Sequence, residues 1–222
     1  MVKKLGFAAA KLLQELLEPD SVVAISGGST MAAVAEEMPI LPFNPTVVPA
    51  RGGVGAVVEY QANVIASVLA ERLRGTYKML HLPDGLSQDS LHMLMTCEPQ
   101  IKEISDLISR TDVLLFGIGT AMRMADQRHI ADEVRKQLVD NHAVGEALGQ
   151  YCDMDGKLIY STNNIGLSLP DVAKVPNVIA VAGGQEKASA IIGVMRACQK
   201  GILIIDEQAA EGMRQLLQIS AL

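Results

Sequence analysis

Ser26-Gly27-Gly28-Ser29-Thr30 follows the apolar run Val22–Ile25 and opens onto Met31-Ala32-Ala33-Val34-Ala35. A strand, a glycine turn and a helix start in that order make a seat for an anion. The helix N-terminus presents unpaired N–H groups and the positive end of the helix dipole. Gly27 and Gly28 have no Cβ, so the backbone can come close to a ligand, and Ser29 and Thr30 add hydroxyl donors. Taken alone, the stretch reads first as a helix simply capped by Ser29 or Thr30.

Three further apolar runs end the same way. Residues 47–50 lead into Arg51-Gly52-Gly53-Val54-Gly55, residues 112–116 into Gly117-Ile118-Gly119-Thr120, and residues 177–182 into Gly183-Gly184-Gln185-Glu186-Lys187. A guanidinium beside glycines holds a phosphate through two parallel hydrogen bonds, or else pairs with a surface carboxylate. Lys187 stands near a helix start, where the dipole disfavours a cation, and a bound anion would remove that conflict. Cations at two of these turns point to a phosphorylated, or doubly phosphorylated, small molecule. Gln61 and Asn63 either meet sugar hydroxyls or are exposed helix residues. Glu146 lies among small and apolar residues in Val144-Gly145-Glu146-Ala147-Leu148, which suits bidentate hydroxyl binding or a buried ion pair.

These groups need a scaffold that brings the turns to one edge. Hydrophobic spacing predicts helices over 5–17, 31–38, 57–73, 87–95, 99–109, 129–139 and 188–198, and one starting at Asp206-Glu207. Strands are predicted over 20–25, 46–49, 77–82, 112–116, 177–182 and 201–205. Residues 145–152 and 157–161 read as a β-hairpin turning at 153–156. Short apolar strands alternating with helices give an α/β fold: a doubly wound, mostly parallel, Rossmann-like sheet with a small β-hairpin insertion. Such sheets bind ligands beyond the carboxyl ends of their strands, at the topological switch point. No linker divides residues 1–222, so one domain is expected.

Composition narrows the ligand. The chain of 222 residues is 49% hydrophobic and 20% charged, enough for a large core. It has no tryptophan and 3% aromatic residues, which disfavours stacking on bases or sugar rings. A net charge of −6 argues against a grip on nucleic acid by this chain itself. Cys97, Cys152 and Cys198 fit no metal spacing and are expected to be buried small hydrophobes in a reducing cytoplasm. His81, His92, His129 and His142 show no ligand spacing, so no metal is expected. No uninterrupted apolar run reaches membrane-span length, so no membrane partner is expected. Neither GxGxxG nor GxxxxGK[ST] occurs, which removes support for dinucleotides and nucleoside triphosphates.

Ordered blocks over residues 20–217 carry a resemblance. They are SGGST at 26–30, VVPARGGVG at 47–55 with Gln61-Ala62-Asn63, GIG at 117–119, AVGEALGQYCDMDG at 143–156, NVIAVAGGQEKASAI at 177–191 and LIIDEQAA at 203–210. In these the chain resembles the C-terminal sugar-binding domain of SorC-type bacterial transcriptional regulators. VPARGG, the Gly-Gly-Ser-Thr loop and GGQEKA are most similar to members that repress glycolytic genes and take fructose 1,6-bisphosphate as effector. The resemblance implies that Gly28, Ser29 and Thr30 hold one phosphate, helped by Lys187. It implies that Arg51 holds the other, with Gln61 near it, and that Glu146 binds sugar hydroxyls. Arg128 would also reach a phosphate, or Gln127 if the alignment slips by one.

The resemblance further implies an effector phosphosugar without a cofactor, and a homo-oligomer, dimer or tetramer. Operator DNA would be held only through an N-terminal helix-turn-helix domain that we do not find in these residues. Phosphosugar isomerases and glucosamine-6-phosphate deaminase share the wider fold, and carry a catalytic Asp-Gly-His after their Gly-Ile-Gly turn. Here Gly117-Ile118-Gly119 continues into Thr120-Ala121-Met122, without that acid–base pair. The expectation is therefore a binding domain with no catalytic residues. An isomerase or deaminase with Glu146 as base is the alternative.

Overall fold

The glycine turns owe their common edge to the order in which six parallel strands are laid down. The structure, a computed structural model, describes residues 1–53 and 57–218. Val54 and Gly55, part of the second glycine-rich stretch, lie outside the described residues. The chain begins with α1 (Val2–Leu16), β1 (Val22–Ile25), α2 (Ser29–Glu37), β2 (Thr46–Pro49), α3 (Ala62–Arg72) and β3 (Thr76–Tyr77). Next come α4 (Gln88–Cys97), α5 (Pro99–Ser109), β4 (Val113–Gly117), β5 (Gly119–Thr120), α6 (Ala121–Gln127) and α7 (Asp132–Asp140). After β6 (Gly145–Ala147), β7 (Gln150–Cys152) and β8 (Leu158–Ser161) follow β9 (Asn177–Val181), α8 (Ala188–Cys198), β10 (Ile202–Ile204) and α9 (Glu207–Leu216).

The main sheet has the order β10-β9-β4-β1-β2-β3, and every pairing in it is parallel. From β1 the chain builds outward to β3, then crosses back to lay β4, β9 and β10 on the other side. The switch point therefore lies between β1 and β4. The central strands are buried on both faces, which is why they read as continuous apolar runs. Alternation assigns their side chains to two cores. Val23, Ile25, Val47 and Leu115 pack with Leu13 of α1, Val34 of α2 and Leu69 of α3. Ala24, Val48, Leu114 and Phe116 pack on the opposite face with Ile108 of α5 and Ile191 and Val194 of α8. The doubly wound α/β expectation holds.

Beside this sheet lies a four-stranded sheet, order β5-β6-β7-β8, with antiparallel pairings. The predicted strand 145–152 is two strands. Leu148 (φ 52°) and Gly149 (φ 76°) turn the chain between β6 and β7, as a two-residue hairpin with two positive φ angles requires. The hairpin at 153–157 follows as expected, so the insertion is larger than one hairpin.

Three other boundaries differ. The predicted helix 57–73 is a 3₁₀ turn, Val58–Tyr60, then an extended Gln61 (φ −72°, ψ 137°), then α3. Of the predicted strand 77–82, only Tyr77 lies in the observed strand, which starts one residue earlier at Thr76. Leu80 instead exchanges its backbone N–H and C=O with the Asn63 side chain, at 2.9 and 3.2 Å. Between Thr120 and Asp132 the structure adds α6, and His129 in the left-handed region (φ 49°) separates it from α7. Cys152 and Cys198 are buried as expected, and burial pushes both thiols up to about 12. Cys97, at the end of α4, is exposed instead.

Among the described residues no helix is long and apolar enough to cross a membrane.

Candidate functional site

Parallel register brings three of the glycine turns together. Ile25 at the end of β1 pairs with Pro49 of β2 and Leu115 of β4, so the chain leaving β1 runs between the chains leaving its neighbours. The Ser26 N–H donates to the Leu115 carbonyl at 2.9 Å, and the Ser26 hydroxyl accepts from the Gly117 N–H at 3.1 Å. The first turn and the turn after β4 are thus one hydrogen-bonded unit at the switch point.

Helix α2 starts from Gly28, whose φ of 116° and ψ of 157° suit glycine, and no side chain caps it. An added Cβ at Gly28 would meet nothing within 4 Å, so the space in front of this helix start is open. Ser29 is exposed and Thr30 half-buried. Neither acts as the helix cap, so their hydroxyls are not explained by capping. Gly27 packs under the start of α3, where the Gly28 N–H reaches the Tyr60 carbonyl at 2.8 Å. Gln61, the N-cap residue of α3, consequently stands beside this first turn. Asn63 is different: it is buried and bound to the Leu80 backbone, which removes it from the sugar-contact candidates.

On the β2 side lies a cluster of four charged side chains. Arg51 is buried and pairs through Nη2 with Asp84 Oδ1. Arg128, at the end of α6, donates Nη1 to Asp84 Oδ2 and Nη2 to Glu146 Oε1, both at 3.1 Å. Glu146 Oε1 also accepts the Gly149 N–H at 2.7 Å, and Asp84 Oδ1 accepts from Asn164 Nδ2 at 2.9 Å. Gln127 is exposed, so Arg128 is the residue that enters the cluster. The two guanidinium groups respond oppositely. Burial, and then the nearby Arg128, lower the Arg51 pKa. Burial acts the same way on Arg128, but Glu146 and Asp84 outweigh it and the pKa is raised.

Gly149 and Gly166 are glycines for a reason of space. A Cβ on Gly149 would lie 2.4 Å from Arg51 Cζ, and one on Gly166 would lie 2.3 Å from Arg51 Cα. The tight β6–β7 turn therefore forms the wall against which the guanidinium rests. Arg128 Nε and the Tyr151 hydroxyl are buried without a partner among the described residues. Tyr151 stands opposite Glu146 in the β6–β7 ladder, and burial followed by Glu146 raises its pKa. Two buried donors left without protein partners beside a guanidinium pair favour a polar ligand or water there.

On the β9 side, Lys187 donates Nζ to the Ile118 carbonyl at 3.0 Å, which turns it inward to the turn after β4. Burial, and then Arg123, lower its pKa. The eight expected residues therefore flank the switch point from both sides. Gly28, Ser29, Thr30 and Gln61 stand at the first turn and Lys187 beside the turn after β4. Arg51, Arg128 and Glu146 form the charged cluster. Sequence reasoning missed Asp84 and Tyr151. Pro83-Asp84-Gly85 has the composition of a plain turn, and Tyr151 that of a strand residue.

Among the described residues, no group of three or more His, Cys, Asp or Glu side chains is placed to hold a metal ion. The Sugar-bind family model, which describes a sugar-binding domain, matches residues 1–215.

The chain belongs to this sugar-binding domain family.

The sugar-binding domain is 38% identical over 211 residues to the central glycolytic genes regulator of Bacillus subtilis (strain 168), covering 94% of this chain and 62% of that regulator. It is 39% identical to the regulator of the same name in Priestia megaterium, over 94% of this chain and 61% of the relative. The chain thus spans a little under two thirds of these relatives' length. Among solved structures, a SorC family transcriptional regulator from Enterococcus faecalis superposes with a TM-score of 0.87 at 37% identity, covering 96% of this chain and 87% of that one. The full-length sorbitol operon regulator SorC of Klebsiella pneumoniae shares the fold, with a TM-score of 0.84 at 23% identity over 96% of this chain and 70% of that one. These relatives are transcriptional regulators, not enzymes.

Proposed function

We propose that this sugar-binding domain is the effector domain of a bacterial transcriptional repressor of glycolytic genes, and that its effector is fructose 1,6-bisphosphate. The observation that carries the reading is the pairing of two anion-seeking features around one switch point. One is the uncapped start of α2 with Ser29, Thr30 and the inward-turned Lys187. The other is the pairing of buried Arg51 with half-buried Arg128 through Asp84. A sugar phosphorylated at both ends would place one phosphate in each, with Glu146 and Gln61 left for hydroxyls.

In this reading the domain works in the cytoplasm as part of a longer protein, as a dimer or tetramer. Operator DNA is bound by an N-terminal domain outside these residues, and the effector acts by favouring one assembly or conformation over another. Such coupling is a difference in affinity between states, typically ~1–3 kcal/mol. The kinship with the central glycolytic genes regulators of two bacteria supports the choice of pathway.

Thermal melting of the domain with fructose 1,6-bisphosphate, fructose 6-phosphate, glucose 6-phosphate and dihydroxyacetone phosphate tests the proposal. A ligand that binds only the folded state raises Tm with concentration. The bisphosphate should give the largest shift at equal concentration. A larger shift with a monophosphate would transfer the effector role to that sugar.

A further inference from the structure

Asp84 places both carboxylate oxygens where a phosphate would have to sit. One accepts from Arg51 Nη2 and Asn164 Nδ2, the other from Arg128 Nη1. With Glu146 on Arg128, two carboxylates balance two guanidinium groups and the cluster carries no net charge. A phosphate dianion entering it meets two like-charged groups at close range. Like charges at that range in a half-buried site repel far more than they do in water, so one carboxylate must give way.

The two carboxylates are not held equally. Glu146 sits in β6, its side chain 4% exposed, and its Oε1 is fixed by the Gly149 N–H and Arg128. The Asp84 side chain is 25% exposed and belongs to the turn Pro83-Asp84-Gly85. Gly85 there has φ 78° and open space around its Cβ position. Asp84 is thus the member of the pair with room to swing out.

We infer that Asp84 is a built-in competitor for the Arg51–Arg128 seat, so that effector binding exchanges its carboxylate for a phosphate. The inference rests on the reading of this cluster as a phosphate site. It makes Asp84 a specificity-determining residue. A neutral hydroxyl cannot displace a carboxylate from two guanidinium groups, whereas a phosphate can, so sugars lacking a phosphate at this end bind more weakly. Asn164 acts as the tether that returns Asp84 to its place.

Titration with inorganic phosphate, followed by calorimetry, tests the exchange in the wild type, Asp84→Asn and Asn164→Ala. Asp84→Asn keeps the shape and removes the competing charge, so phosphate should bind about tenfold tighter or more. The variant should melt lower without phosphate and recover more with it, because two guanidinium groups then face one carboxylate. Asn164→Ala loosens Asp84 without changing any charge and should move affinity the same way by less. It carries the test alone if Asp84→Asn does not fold. Equal or weaker phosphate affinity in the variants overturns the exchange and makes Asp84 an orienting partner of Arg51. Phosphate binding to none of the proteins overturns it as well. Fructose 1,6-bisphosphate, titrated in parallel, separates this result from the functional reading. Tighter phosphate binding with no bisphosphate binding overturns that reading and leaves the exchange standing.

Discussion

Lys187 donates its ammonium to the Ile118 carbonyl at 3.0 Å and so ties the turn after β9 to the turn after β4. The bond turns a cation inward to the turn after β4, at the cost of partial burial beside Arg123. Burial is the larger cause of its lowered pKa. The folded state therefore binds the Lys187 proton less tightly than the unfolded chain does. The resulting penalty is full below the folded pKa and is relieved as pH rises from there to the ordinary lysine value. The buried thiols of Cys152 and Cys198 act oppositely. They hold their protons to about 12, so the stability they contribute is present below the ordinary thiol pKa and fades as pH climbs through the folded values.

The Lys187 part is isolated by comparison with Lys187→Met. Urea unfolding measured at stepped alkaline pH should show wild-type stability gaining on the variant across that window. Parallel curves would mean that Lys187 titrates like a solvated lysine. The variant should also bind the phosphosugar about tenfold more weakly or worse at neutral pH, since a charge-assisted contact is lost.

Arg51→Ala should weaken fructose 1,6-bisphosphate binding by more than ~1 kcal/mol, the range for loss of a charge-assisted hydrogen bond. Arg51 is buried against Gly149 and bonded to Asp84, so its removal should also lower stability. Calorimetry at a temperature well below the variant's Tm separates the two effects. Unchanged affinity would remove Arg51 from the site.

Thr30→Val tests the first turn with little cost to the fold. No side chain caps α2, so removing this hydroxyl breaks no cap. Tm should change little while phosphosugar affinity falls several-fold, the loss of one hydroxyl donor to a phosphate. Loss of stability with affinity intact in the folded fraction would return Thr30 to a purely structural role.

Asn63→Ala should behave in the reverse way. Its amide is bonded to both the N–H and the C=O of Leu80 in a buried place. Leaving those two backbone groups without a partner costs about 1–3 kcal/mol each. Urea unfolding should register that loss, and the folded variant should bind phosphosugar as the wild type does.

The strand ends were legible in the sequence because each pairs two strong local signals, a buried apolar run and a glycine that permits the turn. Four such ends, SGGST, ARGG, GIG and GGQEK, come to one edge of the sheet in the structure. The β6–β7 turn was not legible, because Leu148 takes a positive φ that its side chain does not favour. The network imposes it: Glu146 binds the Gly149 N–H, and Arg51 needs the space above Gly149. Asp84 was illegible for a related reason. Its partners lie 33, 44 and 80 positions away in the chain, and no local pattern encodes a contact across such a distance. Asn63 was misread because the segment it bonds leaves the sheet after Tyr77, and its amide takes the place of strand partners for Leu80. The helix break at Gln61 goes with a separate contact, the Gly28 N–H on the Tyr60 carbonyl.

The central claim is that two anion seats flank one switch point and together take a bisphosphorylated sugar. A calorimetric titration of the domain with fructose 1,6-bisphosphate, beside fructose 6-phosphate, tests it most directly. The account predicts saturable binding of both, with the bisphosphate tighter by at least about tenfold, the worth of one charge-assisted phosphate contact. Equal affinity for the two sugars, or binding of the monophosphate alone, would contradict it.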